Sequence, residues 1–143
     1  MVTKRVLVIG AAGMIGRKLT QRLAKDRGIN GEEIGAATLH DVVDVRPPAG
    51  LPFPAKSVSS DLSAPGEADK LVAGRPDVIF HLAAIVSGEA EADFEKGYRI
   101  NLDGTRLLFD AIRKIGDGYR PRVVFTSSIA VFGAPFPEAI GDE

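Results

Sequence analysis

Apolar residues follow two rhythms along this chain. The runs "RVLVIG" (Arg5 to Gly10), "PDVIFHLAA" (Pro76 to Ala84) and "RVVFTSS" (Arg122 to Ser128) are short and continuous. Such runs predict parallel strands buried on both faces, because a strand covered on one side only would alternate apolar with polar. Other stretches repeat at helical spacing. "MIGRKLTQRLAKDRG" sets Ile15, Leu19, Leu23 and Ala24 on one face of a helix that Gly28 can end. "GAATLHDVVDV" predicts a second strand ending near Asp41, and "SVSSDLS" a short third one ending at Asp61. "APGEADKLVAG" predicts a helix with Pro65 in its first turn and Gly74 at its exit. From Glu89 to Ile115 one long helix is expected, with Phe94, Tyr98, Thr105, Leu108 and Ile112 along one side. "DVRPPAGLPFPAK" (Asp44 to Lys56) carries four of the nine prolines and reads as a surface loop.

Strands alternating with helices imply crossovers, and crossovers imply a parallel sheet. The expected fold is therefore α/β, a Rossmann-like doubly wound parallel sheet in one domain over residues 1–143. At this length a domain buries roughly 70% of the surface its unfolded form exposes, so a true core is expected. With 18 Lys and Arg against 19 Asp and Glu, net charge is -1 and no basic run stands out, which argues against nucleic acid and anionic membrane as partners. The absence of Cys removes disulfides and thiolate chemistry and fits a reducing cytoplasm. "VLVIGAAGMIG" is too short and glycine-rich to span a membrane. No metal site is indicated.

The chemistry concentrates where strands end. Gly10, Gly13 and Gly16 stand at G-x-x-G-x-x-G spacing between a buried strand and a helix, with Ala12, Met14 and Ile15 between and beside them. A turn without Cβ atoms there lets backbone N–H groups and the positive helix end approach a pyrophosphate. The same glycines would also serve a turn that merely packs helix on strand. Asp41, at the end of the next strand, can accept hydrogen bonds from both ribose hydroxyls of an adenosine and would repel a 2′-phosphate, which favours NAD over NADP. Asp44 is a rival for that role, and Arg46 is a group that can meet a phosphate.

Five blocks in order, Gly10 to Gly16, Asp61-Leu62, "HLAA" (His81 to Ala84), "NLDGT" (Asn101 to Thr105) and "TSSIAVFG" (Thr126 to Gly133), resemble the extended short-chain dehydrogenase/reductase family of nucleotide-sugar epimerases and dehydratases. Within it, "FHLAAIVSGEAEADFEKGYRINLDGT" is most similar to NAD-dependent sugar-acid dehydrogenases of the D-erythronate type. The resemblance implies hydride transfer between nicotinamide and a hydroxyl-bearing carbon of a sugar, sugar acid or nucleotide-sugar. It implies that Asp61 and Leu62 flank the adenine and that His81, Leu82, Ala83 and Ala84 lie under the dinucleotide. Asn101 would brace the site strands through main-chain hydrogen bonds. Thr126 and Ser127 would neighbour the cofactor, and Ser128 would be the catalytic serine that positions the substrate hydroxyl.

The family's proton chemistry uses Y-x-x-x-K, and this chain lacks it. Tyr98 and Tyr119 are followed four positions later by Leu102 and Val123. The chain is therefore expected to be the C-terminally incomplete, N-terminal portion of a longer enzyme, inactive alone, with "PFPEAIGDE" offering no helix or strand to cover the last strand. Pairing of the full-length form through the helix from Glu89 is what the resemblance implies for a homodimer. A non-catalytic dinucleotide sensor on the same fold is the other reading that the residues leave open.

Overall fold

The structure is a computed structural model that describes residues 3–133 together with 135 and 138. The elements run β1 (Lys4–Ile9), α1 (Met14–Asp26), β2 (Gly28–Ile29), β3 (Glu32–Asp41), β4 (Ala55–Ser59), α2 (Glu67–Val72), β5 (Val78–His81), α3 (Ser87–Ala92), α4 (Phe94–Gly97), a π-helical turn (Tyr98–Asp103), α5 (Gly104–Ile115), β6 (Arg122–Phe125) and a 3₁₀ turn (Ile129–Phe132). Across the sheet the parallel strands lie in the order β4, β3, β1, β5, β6. This is the Rossmann-like α/β arrangement, and its direction of winding reverses between β1 and β5, where such sheets open a crevice at their carboxyl ends.

The continuous apolar run of β1 is divided between two cores. Val6 and Val8 pack with Leu23, Leu39 and Phe53 on the face under α1. Leu7 and Ile9 pack with Leu71, Ile79, Leu108 and Ala111 under α2 and α5. All four β1 side chains are at most 2% exposed, which is why no polar alternation survives in this strand.

Several expectations need correction. On α1 the buried residues are Gly16, Thr20 and Leu23, and Ile15 points outward at 53% exposure, because the helix meets the sheet on its glycine side. The helix ends on Arg27, whose left-handed φ of 57° lets its N–H reach the Leu23 carbonyl, while Gly28 already belongs to β2. A two-residue antiparallel pairing, Gly28 with Glu33 and Ile29 with Glu32, occupies what reads as a lengthened turn, and β3 starts at Glu32 and stops at Asp41. The third strand lies at Ala55–Ser59, short of Asp61, and α2 begins only at Glu67, past Pro65. The proline-rich segment is not wholly surface, since Val45 and Phe53 are buried in the core.

The long helix is not one helix. Asp93, at φ -136° and ψ 86°, leaves the helical region and caps the next turn by accepting the Lys96 N–H at 3.0 Å. The π turn from Tyr98 to Asp103 then shifts the helical phase. Phe94 and Tyr98 consequently stack on each other, centroids 4.7 Å apart, and stay more than half exposed, whereas Leu108 and Ala111 reach the core. The last strand ends at Phe125, so Ser127 and Ser128 follow it rather than belong to it. The reading of "PFPEAIGDE" falls outside the described residues except at 135 and 138.

Candidate functional site

At the carboxyl ends of β1, β3 and β5 a cavity of about 380 Å³ opens in the crevice of the sheet. Ten residues singled out from sequence line it: Gly10, Ala12, Gly13, Asp41, Asp61, Leu62, His81, Leu82, Ala83 and Ala84. Met14, Ile15, Gly16, Asn101, Thr126, Ser127 and Ser128 are not among the lining residues.

The glycine turn is held from two sides. Gly10 and Ala11 both donate their N–H to the His40 carbonyl, at 2.9 and 3.0 Å, which ties the end of β1 to the end of β3. A Cβ on Gly10 would stand 2.8 Å from the Ala83 nitrogen, on a φ of 89° that side chains rarely adopt. A Cβ on Gly16 would stand 2.2 Å from the Gly10 carbonyl oxygen and 2.6 Å from the Ala11 Cα. Those two glycines serve the close approach of helix, turn and strand. Gly13 is different: it is exposed, its added Cβ would meet only the Gly10 oxygen at 3.3 Å, and it forms the start of α1 with no side-chain cap. The helix thus presents bare N–H groups and its positive dipole end to whatever the turn faces.

Asp41 closes one wall. Its Oδ2 accepts the Ala12 N–H at 2.9 Å and its Oδ1 accepts the Val42 N–H at 2.8 Å. Each oxygen keeps a lone pair for a further donor. Asp61 is more heavily engaged. Its Oδ1 accepts both the amide and the hydroxyl of Ser63, at 2.8 and 2.5 Å, and its Oδ2 pairs with the Arg99 guanidinium, which also donates to the Ser63 Oγ at 3.0 Å. Burial pushes the Asp61 carboxyl up, but the Ser63 hydroxyl and amide and the Arg99 guanidinium together hold it below the usual range. It is an oriented anion, with one lone pair of Oδ2 left to offer.

Two histidines sit beneath the cavity in one row of the sheet. Ile9 pairs with His40 on one side and His81 on the other, so all three side chains share a face. His40 is 2% and His81 1% exposed. The Thr105 hydroxyl donates to the Asn101 carbonyl at 2.9 Å, which leaves its oxygen to accept from His81 Nε2, also 2.9 Å away. His40 Nε2 lies 3.1 Å from the Ser60 Oγ. Among the described residues, neither Nδ1 has a partner. Burial lowers the pKa of both, and for His40 it outweighs Ser60, Asp41, Glu67 and Asp61, which act the other way. A histidine buried neutral gives stability in full above its unfolded pKa, about 6.5, and loses it as pH falls below that value. The urea midpoint is therefore expected to drop as pH falls below about 6.5, and the drop should flatten in a His40→Gln/His81→Gln double variant. An unchanged pH profile in that variant would remove the histidines as its cause.

Asn101 lies in the π turn, away from the cavity wall. Its Oδ1 accepts the Ile85 N–H at 2.9 Å and its Nδ2 donates to the Ile85 carbonyl at 3.0 Å, so one amide side chain pins the segment that follows β5. Thr126 extends the β5 to β6 pairing: its N–H and hydroxyl both donate to the His81 carbonyl, at 3.2 and 3.3 Å. Ser128 is exposed, and its Oγ accepts the Ala130 N–H at 3.2 Å, capping the 3₁₀ turn while the hydroxyl proton stays available.

Six lining residues escape sequence reasoning: His40, Val42, Val43, Ser63, Ile85 and Ile100. Val42 and Val43, 61% and 55% exposed, had a signal in two apolar residues directly after a strand-end aspartate. Ile100 had none, because the π turn decides which way it faces.

A model of the NAD dependent epimerase/dehydratase family matches residues 6–143. A D-erythronate dehydrogenase from Cupriavidus necator is 40% identical over 142 residues, covering 96% of this chain and 43% of its own length. Among solved structures, a nucleoside-diphosphate-sugar epimerase from Agrobacterium tumefaciens superposes with a TM-score of 0.90 at 66% identity over 94% of this chain and 40% of that one. A uronate dehydrogenase from Agrobacterium tumefaciens, solved in complex with NAD, gives 0.69 at 34% identity over 89% and 42%. The chain thus spans about two fifths of the length of the relatives it matches.

Proposed function

The chain belongs to the NAD dependent epimerase/dehydratase family, and from that premise we propose that residues 1–143 are the NAD-binding domain of an oxidoreductase acting on a sugar acid. The observation that carries this reading is the cavity at the sheet's crevice, with the glycine turn on one side and the Asp41 carboxylate on the other. The cradle fits a dinucleotide. The bare N–H groups of the first turn of α1, at Met14 and Ile15, take the pyrophosphate, while the Ala12 and Gly13 N–H groups are spent on Asp41 and the Gly10 carbonyl and shape the turn. Asp41 takes the adenosine ribose through its remaining lone pairs, and the same charge disfavours a 2′-phosphate. Asp61, fixed by Ser63 and Arg99, and Leu62 hold the adenine edge. Ala83 and Ala84, which lack bulk, let the dinucleotide lie against the strand end. When bound, the nicotinamide supplies the hydride chemistry.

Ser128 holds the substrate hydroxyl at the carboxyl edge of the sheet, next to the end of β6. The proton leaves through a residue outside these 143, since neither tyrosine present is followed four positions later by lysine. Sugar acids are favoured as substrates by the likeness to D-erythronate dehydrogenase and to uronate dehydrogenase. The cytoplasm is the proposed location, and two copies of the intact enzyme form the proposed assembly.

The test is a pair of titrations with NAD and NADP on the intact protein and its Asp41→Ala variant. Loss of the charged acceptor is expected to weaken NAD by about tenfold or more, at roughly 1.5–3 kcal/mol for hydrogen bonds to a charged group, and to narrow the preference over NADP. Equal NAD affinity in the two proteins would overturn the assignment. NAD reduction by the intact protein with D-erythronate or a uronate then reads the substrate class, and no turnover with any sugar acid would refute it.

A further inference from the structure

At the opposite end of the sheet, where the strands begin, lies a larger and more polar cavity of about 790 Å³. Its wall includes Lys4, Arg5, Arg75, Arg120 and Arg122 but only two carboxylates, Glu32 and Asp77. Of these, Glu32 is ion-paired with Lys4 at 3.2 Å, and Asp77 is held by a backbone amide, accepting the N–H of Arg5 at 2.7 Å. Among the described residues, none of the four guanidiniums is paired with a carboxylate; Arg17 on α1 and Arg27 at its end are likewise unpaired, but singly, whereas Arg22, Arg46, Arg99, Arg106 and Arg113 are paired.

Three of these uncompensated guanidiniums are nevertheless held by neutral partners. Arg5 Nη1 donates to the Gly74 carbonyl at 2.6 Å, and Arg120 Nη1 donates to the Tyr119 carbonyl at 3.0 Å. Arg75 stacks over the Tyr119 ring, 5.3 Å from its centroid. The ring itself is anchored, because the Tyr119 hydroxyl donates to the Pro76 carbonyl at 2.6 Å. Burial, then the charge of Asp77, pushes that phenol up to about 12, so it remains a neutral donor across the working pH range. Three guanidiniums are thus oriented by neutral groups rather than by carboxylates, and the wall keeps an excess of positive charge.

We infer that this basin at the amino ends of β1, β5 and β6 binds a multiply charged phosphate anion, a pyrophosphate group or one carried on a larger molecule. Guanidinium presents a planar fork of donors that matches phosphate oxygens, and orientation by neutral partners lowers the entropic cost of bringing several forks to one ligand. The site is separate from the glycine turn. From Arg5 to Gly10 the strand rises roughly 16 Å at about 3.3 Å per residue, so the two cavities open on opposite edges of the sheet.

The experiment is calorimetric titration of inorganic pyrophosphate into the intact protein saturated with NAD, at low ionic strength. One saturable site is expected, weakening as salt rises. Arg120→Ala, in an exposed segment outside any strand, and Arg122→Ala are each expected to weaken pyrophosphate by about tenfold while leaving NAD affinity unchanged. Unchanged NAD affinity also certifies that each variant is folded. Three results would overturn the inference: no saturable binding to the NAD-saturated protein, pyrophosphate displaced by NAD, or full affinity in the Arg120→Ala/Arg122→Ala double variant. Failure here leaves the NAD reading untouched, since that reading is scored by the NAD titration alone.

Discussion

Gly16→Ala is expected to destabilise the protein by about 1–3 kcal/mol and to weaken NAD about ten- to a hundredfold. The new Cβ would lie 2.2 Å from the Gly10 oxygen and 2.6 Å from the Ala11 Cα, and both are backbone atoms that no rotamer change can move. Relief requires α1 to lift from the turn. That motion strains the N–H bonds of Gly10 and Ala11 to the His40 carbonyl and shifts the amides meant for the pyrophosphate. Gly13→Ala is the informative contrast. Its Cβ meets only one oxygen, at 3.3 Å, so the fold should hold while NAD binding suffers from the methyl group in the ligand's path. Thermal melts and NAD titrations of both variants decide it, and wild-type affinity in Gly16→Ala would mean that the turn is not the phosphate cradle.

Ser128→Ala in the intact enzyme should lower kcat by about a hundredfold or more while NAD affinity stays within about twofold, since a group that positions the reacting hydroxyl acts in the transition state rather than in cofactor binding. Ser128 follows β6 at the same edge as the cavity but lies outside its lining, and its oxygen already accepts the Ala130 N–H, so the hydroxyl proton is directed by the turn it caps. Loss of that cap costs up to about 2 kcal/mol of local stability, which a melt measures separately. Turnover equal to wild type would remove Ser128 from the chemistry and return it to the turn alone.

Asn101 illustrates what a sequence can and cannot convey. An asparagine three positions before a glycine in a helical stretch calls for compensation, and the structure supplies it in the two hydrogen bonds to Ile85. What the periodicity hid was the π turn. A constant 3.6-residue period sets Phe94, Tyr98, Thr105, Leu108 and Ile112 on one face, and a wider turn between Tyr98 and Asp103 breaks that phase, leaving Phe94 and Tyr98 outside and Leu108 inside. Nothing in local composition distinguishes a π turn from an α turn, because the extra residue is accommodated by what it packs against.

Asp61 marks a similar boundary. Its place near the end of a short strand is legible, though the strand stops at Ser59 rather than at Asp61, but its engagement by Arg99 is not, since the two lie 38 residues apart in the chain. The same holds for the amino-end basin: Lys4, Arg5, Arg75, Arg120 and Arg122 form no basic run, and only the parallel sheet gathers them.

The sequence alone determined the strand cores, the glycine turn, the strand-end aspartate and the order of the main β and α units, because each of these is written in neighbouring residues through burial period and Cβ geometry; it did not determine β2 or the division of the helix from Glu89. The tertiary structure decided which residues face one another at the sheet's two edges: the histidine row on either side of Ile9, the Arg99 hold on Asp61 and the uncompensated guanidiniums at the far end. Those depend on strand order and register, which arise from long-range packing and leave no mark on any short stretch of chain.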